Sequence, residues 1–317
     1  MISRWLIRLV GVGLFVLVLS RLELAQLGQL LRRTDGLAVA LAIVLVFPFF
    51  VLKSWRWQLL LKRAGIHVSL WRSLWLYFVG LFAGYATPGQ VGEAVKAVYL
   101  ARAGHPMGPA LATIALDRIL DMLLLVLLAI PGVLFVGETL GMDRLFTLGA
   151  LLAGLFGLLM SVWAIITPGV FRPLLGALYR IPMLGKRFEA LLGNSSFHAD
   201  LGLAMIVRSP ALWLLTVAAY VVHYIRFYIL LLALNITAPP PVLAFVATLA
   251  LVSVVALIPI TVMGVGTRDG VLVLAAGGLG LTQEEAVGFS LLILVTYLAN
   301  LVIGLVCWLG DQKVAKA

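Results

Sequence analysis

The sequence predicts an all-α polytopic membrane protein, with about six full spans and two oppositely oriented re-entrant helical hairpins that form an inverted repeat. Three observations predict it. Of 317 residues, 63% are apolar and only 11% charged, with mean hydropathy +1.14, where a soluble domain carries roughly 25% charged residues. Apolar runs long enough to cross ~30 Å recur along the chain. Two further apolar stretches are too long for one span and are broken in the middle by Pro and Gly. Together these exclude an ordinary cytosolic enzyme, a disordered chain and a β-barrel porin, whose apolar signal alternates with period two.

The chain reads as a single transmembrane domain, 1–317. Its start, MISRWLIRLVGVGLFVLVLS, has the basic n-region of a signal peptide (Arg4, Arg8), but no small-residue cleavage site follows. It is read as an uncleaved first span at about 4–21. Further full spans fit at about 36–57, 109–136, 143–167, 209–234 and 285–310. The two over-long stretches are 71–103, broken by ATPGQVGE, and 242–278, broken by IPITVMGVGTRDG. Proline lacks the N–H a helix interior needs, and glycine admits conformations a helix does not use. Each stretch is therefore expected to be a hairpin of short helices around an irregular tip. Such a tip is tolerated at membrane depth only where protein or a wet cavity surrounds it. Residues 170–208 alternate basic and apolar groups at helical spacing and read as a cytoplasmic amphipathic connection.

Loop charge sets the orientation. Lys53, Arg56, Lys62, Arg63 and Arg72 are counted as one cytoplasmic segment, and Arg172, Arg180, Lys186, Arg187 and Arg208 as another. The connections 235–241 and 277–284 hold no Lys or Arg and are expected outside. Both termini then lie in the cytoplasm, and the two hairpins enter from opposite sides. Arg21, Arg32 and Arg33 run against this scheme. The net charge of +10 is otherwise read as topology signals and contact with anionic headgroups, not as a nucleic-acid surface. Trp55, Trp57, Trp71 and Trp75 are read as markers of a membrane interface. Cys307 is the single cysteine, and His67, His105, His198 and His223 show no metal-ligand spacing, so no metal or cofactor is expected.

A shift of 174 positions lays the hairpins over one another: Gly92 meets Gly266, Gly104 meets Gly278, and Met107 meets Leu281. Charges follow each break. Glu93 and Lys96 follow the first tip, and Asp117, Arg118 and Asp121 lie early in the next span. Arg268 and Asp269 follow the second tip, and His223 and Arg226 sit among aromatics. A charge at the bilayer centre costs ~2.5 kcal/mol or more, so these groups need a reason. Either they neutralise one another or they line a polar cavity. Glu93 with Lys96, and Arg118 with Asp121, have the spacing to pair. Arg268 and Asp269, being adjacent, are expected to point apart. The short helices after each tip begin with unpaired N–H groups, which suit a phosphate when Lys96 and Arg268 stand nearby and Thr87 and Thr267 add hydroxyls.

These same residues carry a resemblance. TPGQVGEAVKAVYLARAG followed by ALDRILDMLLL, and IPITVMGVGTRDGVLVLAAGGLGL, resemble the two signatures of the lysylphosphatidylglycerol synthase transmembrane (flippase-like) family. Pro88, Gly92, Glu93, Asp117, Arg118, Gly264, Gly266 and Arg268 match its pattern. Lys96 stands where arginine is more usual, and Asp269 where glutamate is. The resemblance implies a bacterial inner-membrane protein that moves or handles a lipid: a phospholipid, an aminoacylated lipid or a polyprenyl-phosphate-linked glycan. No soluble domain follows residue 310, so lysyl transfer is expected to be absent.

The leading expectation is a lipid flippase and not an enzyme, with a substrate site drawn from Thr87, Pro88, Gly92, Glu93, Lys96, Asp117, Arg118, Asp121, Arg226, Gly264, Gly266, Thr267, Arg268 and Asp269. An intramembrane enzyme acting on a lipid phosphate, and an accessory subunit of an envelope lipid or glycan pathway, are the alternatives. No Walker A motif is present for ATP hydrolysis.

Overall fold

A computed structural model describes residues 32–85, 92–139, 141–143, 209–256 and 266–314, with isolated positions at 29, 147 and 149. The described elements are all helical: α1 Gly36–Val44, α2 Val46–Arg63, α3 Leu70–Tyr85, α4 Val95–Arg102, α5 Met107–Thr139, α6 Pro210–Leu232, α7 Val242–Ala256, α8 Thr267–Ala275 and α9 Gln283–Val314. The expected span at 4–21, most of that at 143–167, the whole connection 170–208 and most of both expected hairpin tips lie outside these residues.

Among the described residues, four stretches are long and apolar enough to cross a bilayer: Gly36–Arg63, Met107–Thr139, Pro210–Leu232 and Gln283–Gly310. They coincide with four of the expected spans. The first runs six residues past its expected end, to Arg63, with one break at Leu45. The remaining helices are shorter. At 1.5 Å per residue, α3 and α7 reach about 24 and 22 Å and α4 and α8 about 12 and 14 Å, all short of the ~30 Å hydrocarbon layer.

Local chemistry sets several ends. Asp35 caps α1, its carboxylate accepting from the N–H groups of Leu37 (2.8 Å) and Ala38 (3.4 Å). Thr282 and Glu285 form a reciprocal capping box at α9 (3.1 and 2.8 Å). Gly266 enters α8 at φ +92°, a conformation that favours glycine. Its N–H is accepted by Asp269 at 2.7 Å.

The helices pack in a reciprocal pattern. α5 packs along α7, and α9 packs along α3. Under the shift of 174 positions α3 corresponds to α7 and α5 to α9, so each long helix packs along the shorter helix of the other segment. α1–α2 and α6 pack against each other and run antiparallel. The Asp35 N–H donates to the Ala233 carbonyl (2.8 Å) at one end, and Arg63 Nη2 donates to Ser209 Oγ (2.8 Å) at the other. Small residues permit the close crossings: Gly132 of α5 lies against the Ala247 backbone of α7, and Gly304 of α9 against Phe78 and Phe82 of α3.

Polarity is turned inside out relative to a soluble fold. Arg56 is 0% exposed, while Leu214 is 71% exposed. Leu214, Val217, Val221 and Ile225 form an outward apolar stripe on α6 at helical spacing. Charges inside and leucines outside make sense when the solvent is lipid.

Candidate functional site

Three charged clusters and one solitary arginine surround the middle of the bundle. The largest joins α2 to α5. Lys53 Nζ lies 2.5 Å from Asp121, and Arg56 Nη2 lies 2.7 Å from Asp117 and 2.9 Å from Asp121. Tyr77 of α3 donates to Asp117 at 2.5 Å, and Arg56 also donates to Thr216 of α6 at 2.9 Å. One guanidinium thus ties three helices together.

The second cluster follows the first tip. Glu93 is held by Lys96 (3.2 Å) and by Arg118, whose Nε donates at 3.1 Å and whose Nη2 also contacts it. Lys96 reaches this position by crossing α3 at Gly80, where a Cβ would come 2.8 Å from the lysine stem. Its ammonium then rests 4.1 Å from the Tyr77 ring and 4.9 Å from Trp57. Gly80→Val is expected to push the stem aside and lower thermal stability by about 1–3 kcal/mol. An unchanged melting temperature in detergent would contradict this route.

The third cluster follows the second tip. Arg268 Nη2 donates to Asp269 at 2.8 Å and to the Ser290 carbonyl at 3.2 Å, and Asp269 also accepts from the Ser290 hydroxyl. The guanidinium lies 5.5 Å from the Tyr297 ring.

Arg226 stands apart. It is 2% exposed, and its Nε and Nη1 have no hydrogen-bond partner among the described residues. The guanidinium rests on Phe227 (4.3 Å) and near Phe49 (5.9 Å). His223, one turn earlier, is packed by Phe49 (5.0 Å) and Phe227 (4.6 Å), with Nδ1 unpartnered.

These groups meet at a cavity of about 140 Å³ between the two halves of the bundle. Lys53, Glu93, Arg118, His223 and Arg226 bring charge or polarity to its wall, and Tyr77, Tyr85, Tyr220, Ser253, Tyr297 and Asn300 complete the polar lining. Of the expected site residues, Glu93, Arg118 and Arg226 line it. Lys96, Asp117 and Asp121 support the wall from behind, and Arg268 and Asp269 stand behind Tyr297. Gly92, Gly266 and Thr267 lie at the starts of the short helical segments after the tips. Thr87, Pro88 and Gly264 fall outside the described residues.

Four expectations are corrected. Lys53 and Arg56 belong to the buried network and are not cytoplasmic loop charges, because α2 continues unbroken through them. Trp57 is 0% exposed and donates to Thr113 (3.1 Å), so it marks no interface, whereas Trp55 and Trp71 are exposed. Arg118 pairs with Glu93, not Asp121, because Lys53 and Arg56 occupy Asp121. Arg268 and Asp269 do meet, because the turn at Gly266 draws the carboxylate back over the helix start.

Sequence reasoning missed Lys53, Arg56, Tyr77, Tyr85 and Asn300. A signal existed for the first two: they lie three apart, so share a helical face, and no Gly or Pro interrupts the chain between Phe49 and Ala64.

A family model for the lysylphosphatidylglycerol synthase transmembrane region matches residues 5–304. The chain is 26% identical over 313 residues to a UPF0104 membrane protein of Methanocaldococcus jannaschii, covering 93% of this chain and 91% of that one. It is 24% identical over 306 residues to a UPF0104 membrane protein of Methanothermobacter thermautotrophicus, covering 89% and 86%. A UPF0104 membrane protein of Pyrococcus horikoshii is 30% identical over 125 residues, 38% of this chain and 37% of that relative's length.

Proposed function

Because the chain belongs to the lysylphosphatidylglycerol synthase transmembrane-region family of multi-pass integral membrane proteins, we propose that it is a lipid flippase. It moves a lipid with a charged, phosphate-containing headgroup across the cytoplasmic membrane, with both termini on the cytoplasmic side. The headgroup occupies the cavity while its acyl chains stay in the bilayer. The observation that carries this reading is Arg226: a buried guanidinium facing a cavity, whose Nε and Nη1 have no partner among the described residues. An uncompensated buried charge is costly, and an anionic ligand would relieve it.

The hairpins at 71–103 and 242–278 re-enter from opposite leaflets in this reading. The antiparallel α1–α2 and α6, and the reciprocal packing of the long helices, support an inverted repeat that exposes the cavity alternately to each side. Glu93, shared between Lys96 and Arg118, is the group best placed to exchange partners when a phosphate enters. Envelope biogenesis is the setting in which a protein partner would act.

The test is translocation of fluorescent phospholipid in proteoliposomes, read by quenching of the outer leaflet. Wild type is expected to move lipid. Arg226→Gln and Glu93→Gln are expected to slow it about tenfold or more, and Arg268→Ala, one layer from the cavity, less. Full rates in all three variants would reject the site. Chemical turnover of the lipid, seen by mass spectrometry, would replace transport with catalysis.

A further inference from the structure

Resting on that reading, we infer that the cavity selects a lipid ending in a phosphate monoester over one with a phosphodiester headgroup or a headgroup bearing an ammonium. Three observations carry this.

The first is charge. Among the described residues, Lys53 and Arg56 are matched by Asp117 and Asp121, and Arg268 by Asp269. Glu93 is shared by Lys96 and Arg118, and Arg226 has no acid. Two positive charges are left over. The tip segments 86–91 and 257–265 contain no charged residue that could cancel them. A phosphate monoester carries about −1.5 to −2 near neutral pH, whereas a diester carries a single charge and would leave one cation buried without compensation.

The second is that, among the described residues, most groups able to seat a cation are already engaged. Glu93, the acid on the cavity wall, is already held by two bases. Four of the six phenyl and phenol rings on the wall already lie against protein cations. Phe49 and Tyr220 face Lys53 (5.5 and 6.0 Å), Tyr77 faces Lys96 (4.1 Å), and Tyr297 faces Arg268 (5.5 Å). An aminoacyl or ethanolamine group would meet donors and like charge.

The third is size. A cavity of about 140 Å³ holds on the order of ten waters. That accommodates a phosphoryl group with part of its hydration.

The test compares binding of lipids with the same acyl chains to the purified full chain in detergent, by thermal shift and thermophoresis. The probes are dioleoyl phosphatidic acid, dioleoyl phosphatidylglycerol, dioleoyl lysyl-phosphatidylglycerol and inorganic phosphate. Phosphatidic acid is expected to bind about tenfold or more tighter than phosphatidylglycerol, the scale of one charge-assisted hydrogen bond, with the lysyl lipid weakest. Arg226→Gln is expected to erase the preference, and Arg226→Lys, which keeps the charge but loses the fork, to retain part of it. Lys62→Gln, an exposed charge on α2, is expected to change neither affinity. Equal affinity for the two anionic lipids, or tighter binding of the lysyl lipid, would overturn the inference. So would inorganic phosphate binding as tightly as phosphatidic acid, which would make the ligand a free anion. Failure of the flippase reading is a separate result: no lipid crosses in the vesicle assay, whatever the binding preference.

Discussion

Asp117→Ala is expected to abolish the well-folded protein. The substitution leaves Arg56, 0% exposed, to share the single carboxylate of Asp121 with Lys53, and removes the acceptor of Tyr77. Breaking a buried ion pair from one side costs about 3–5 kcal/mol, a large share of the ~5–15 kcal/mol that holds a typical fold together. Arg56→Ala is expected to do similar damage, leaving Asp117 buried against Tyr77 alone and Asp121 with Lys53. The informative measurement is the cycle closed by the double variant Arg56→Met with Asp117→Leu. Apolar groups of similar size can replace a buried pair at little net cost. The double variant is therefore expected to melt well above either single, with a coupling energy of about 1–3 kcal/mol. Singles that melt with wild type in detergent would mean that the network contributes nothing to stability.

The second large effect is expected at Gly132. A methyl group there would come 2.7 Å from the carbonyl carbon of Ala247. Backbone stands on both sides of this contact, so no side chain can swing away to relieve it. Pro131, immediately before, already removes one helical hydrogen bond. Gly132→Ala is expected to lower stability by about 1–3 kcal/mol and Gly132→Leu by more, because α5 and α7 must part. Gly304→Ala meets the same obstacle, its methyl 2.7 Å from the Phe78 carbonyl. Gly310→Ala, with nothing within 4 Å, provides the control and is expected to be neutral or mildly stabilising. Thermal melts that rank Gly310→Ala with Gly132→Ala would contradict the close crossing.

The helices were legible because a bilayer imposes a length. An apolar run near twenty residues has few other uses, and α5, α6 and α9 lie within a few residues of where the runs place them. The ends of α3 and α7 were legible for the complementary reason, since a cluster of Pro and Gly follows each of them. Charge was harder to read. The loop-charge rule assigns Lys and Arg to the aqueous side, so it places Lys53 and Arg56 in a loop. A buried base escapes that rule when carboxylates on another helix receive it, here Asp117 and Asp121 more than sixty residues away. Local spacing found the Glu93–Lys96 pair and proposed Arg118–Asp121, which lost to a tertiary competitor. Tyr85, Tyr297 and Asn300 gave no sign at all, because their role arises only where α3 and α9, distant in sequence, meet.

The packing of α3 along α9, distant in sequence, also bears on biosynthesis. α3 ends at Tyr85 and its neighbour α9 begins at Gln283. At 5–20 residues per second, a ribosome needs on the order of 10–40 s to make the intervening chain. Through that interval the amino-terminal half sits in the membrane with one flank of α3 uncovered. The first half thus cannot mature as a separate unit ahead of the second. A nonsense mutation anywhere before α9 removes from α3 the helix that packs along it, as well as the end of the later half.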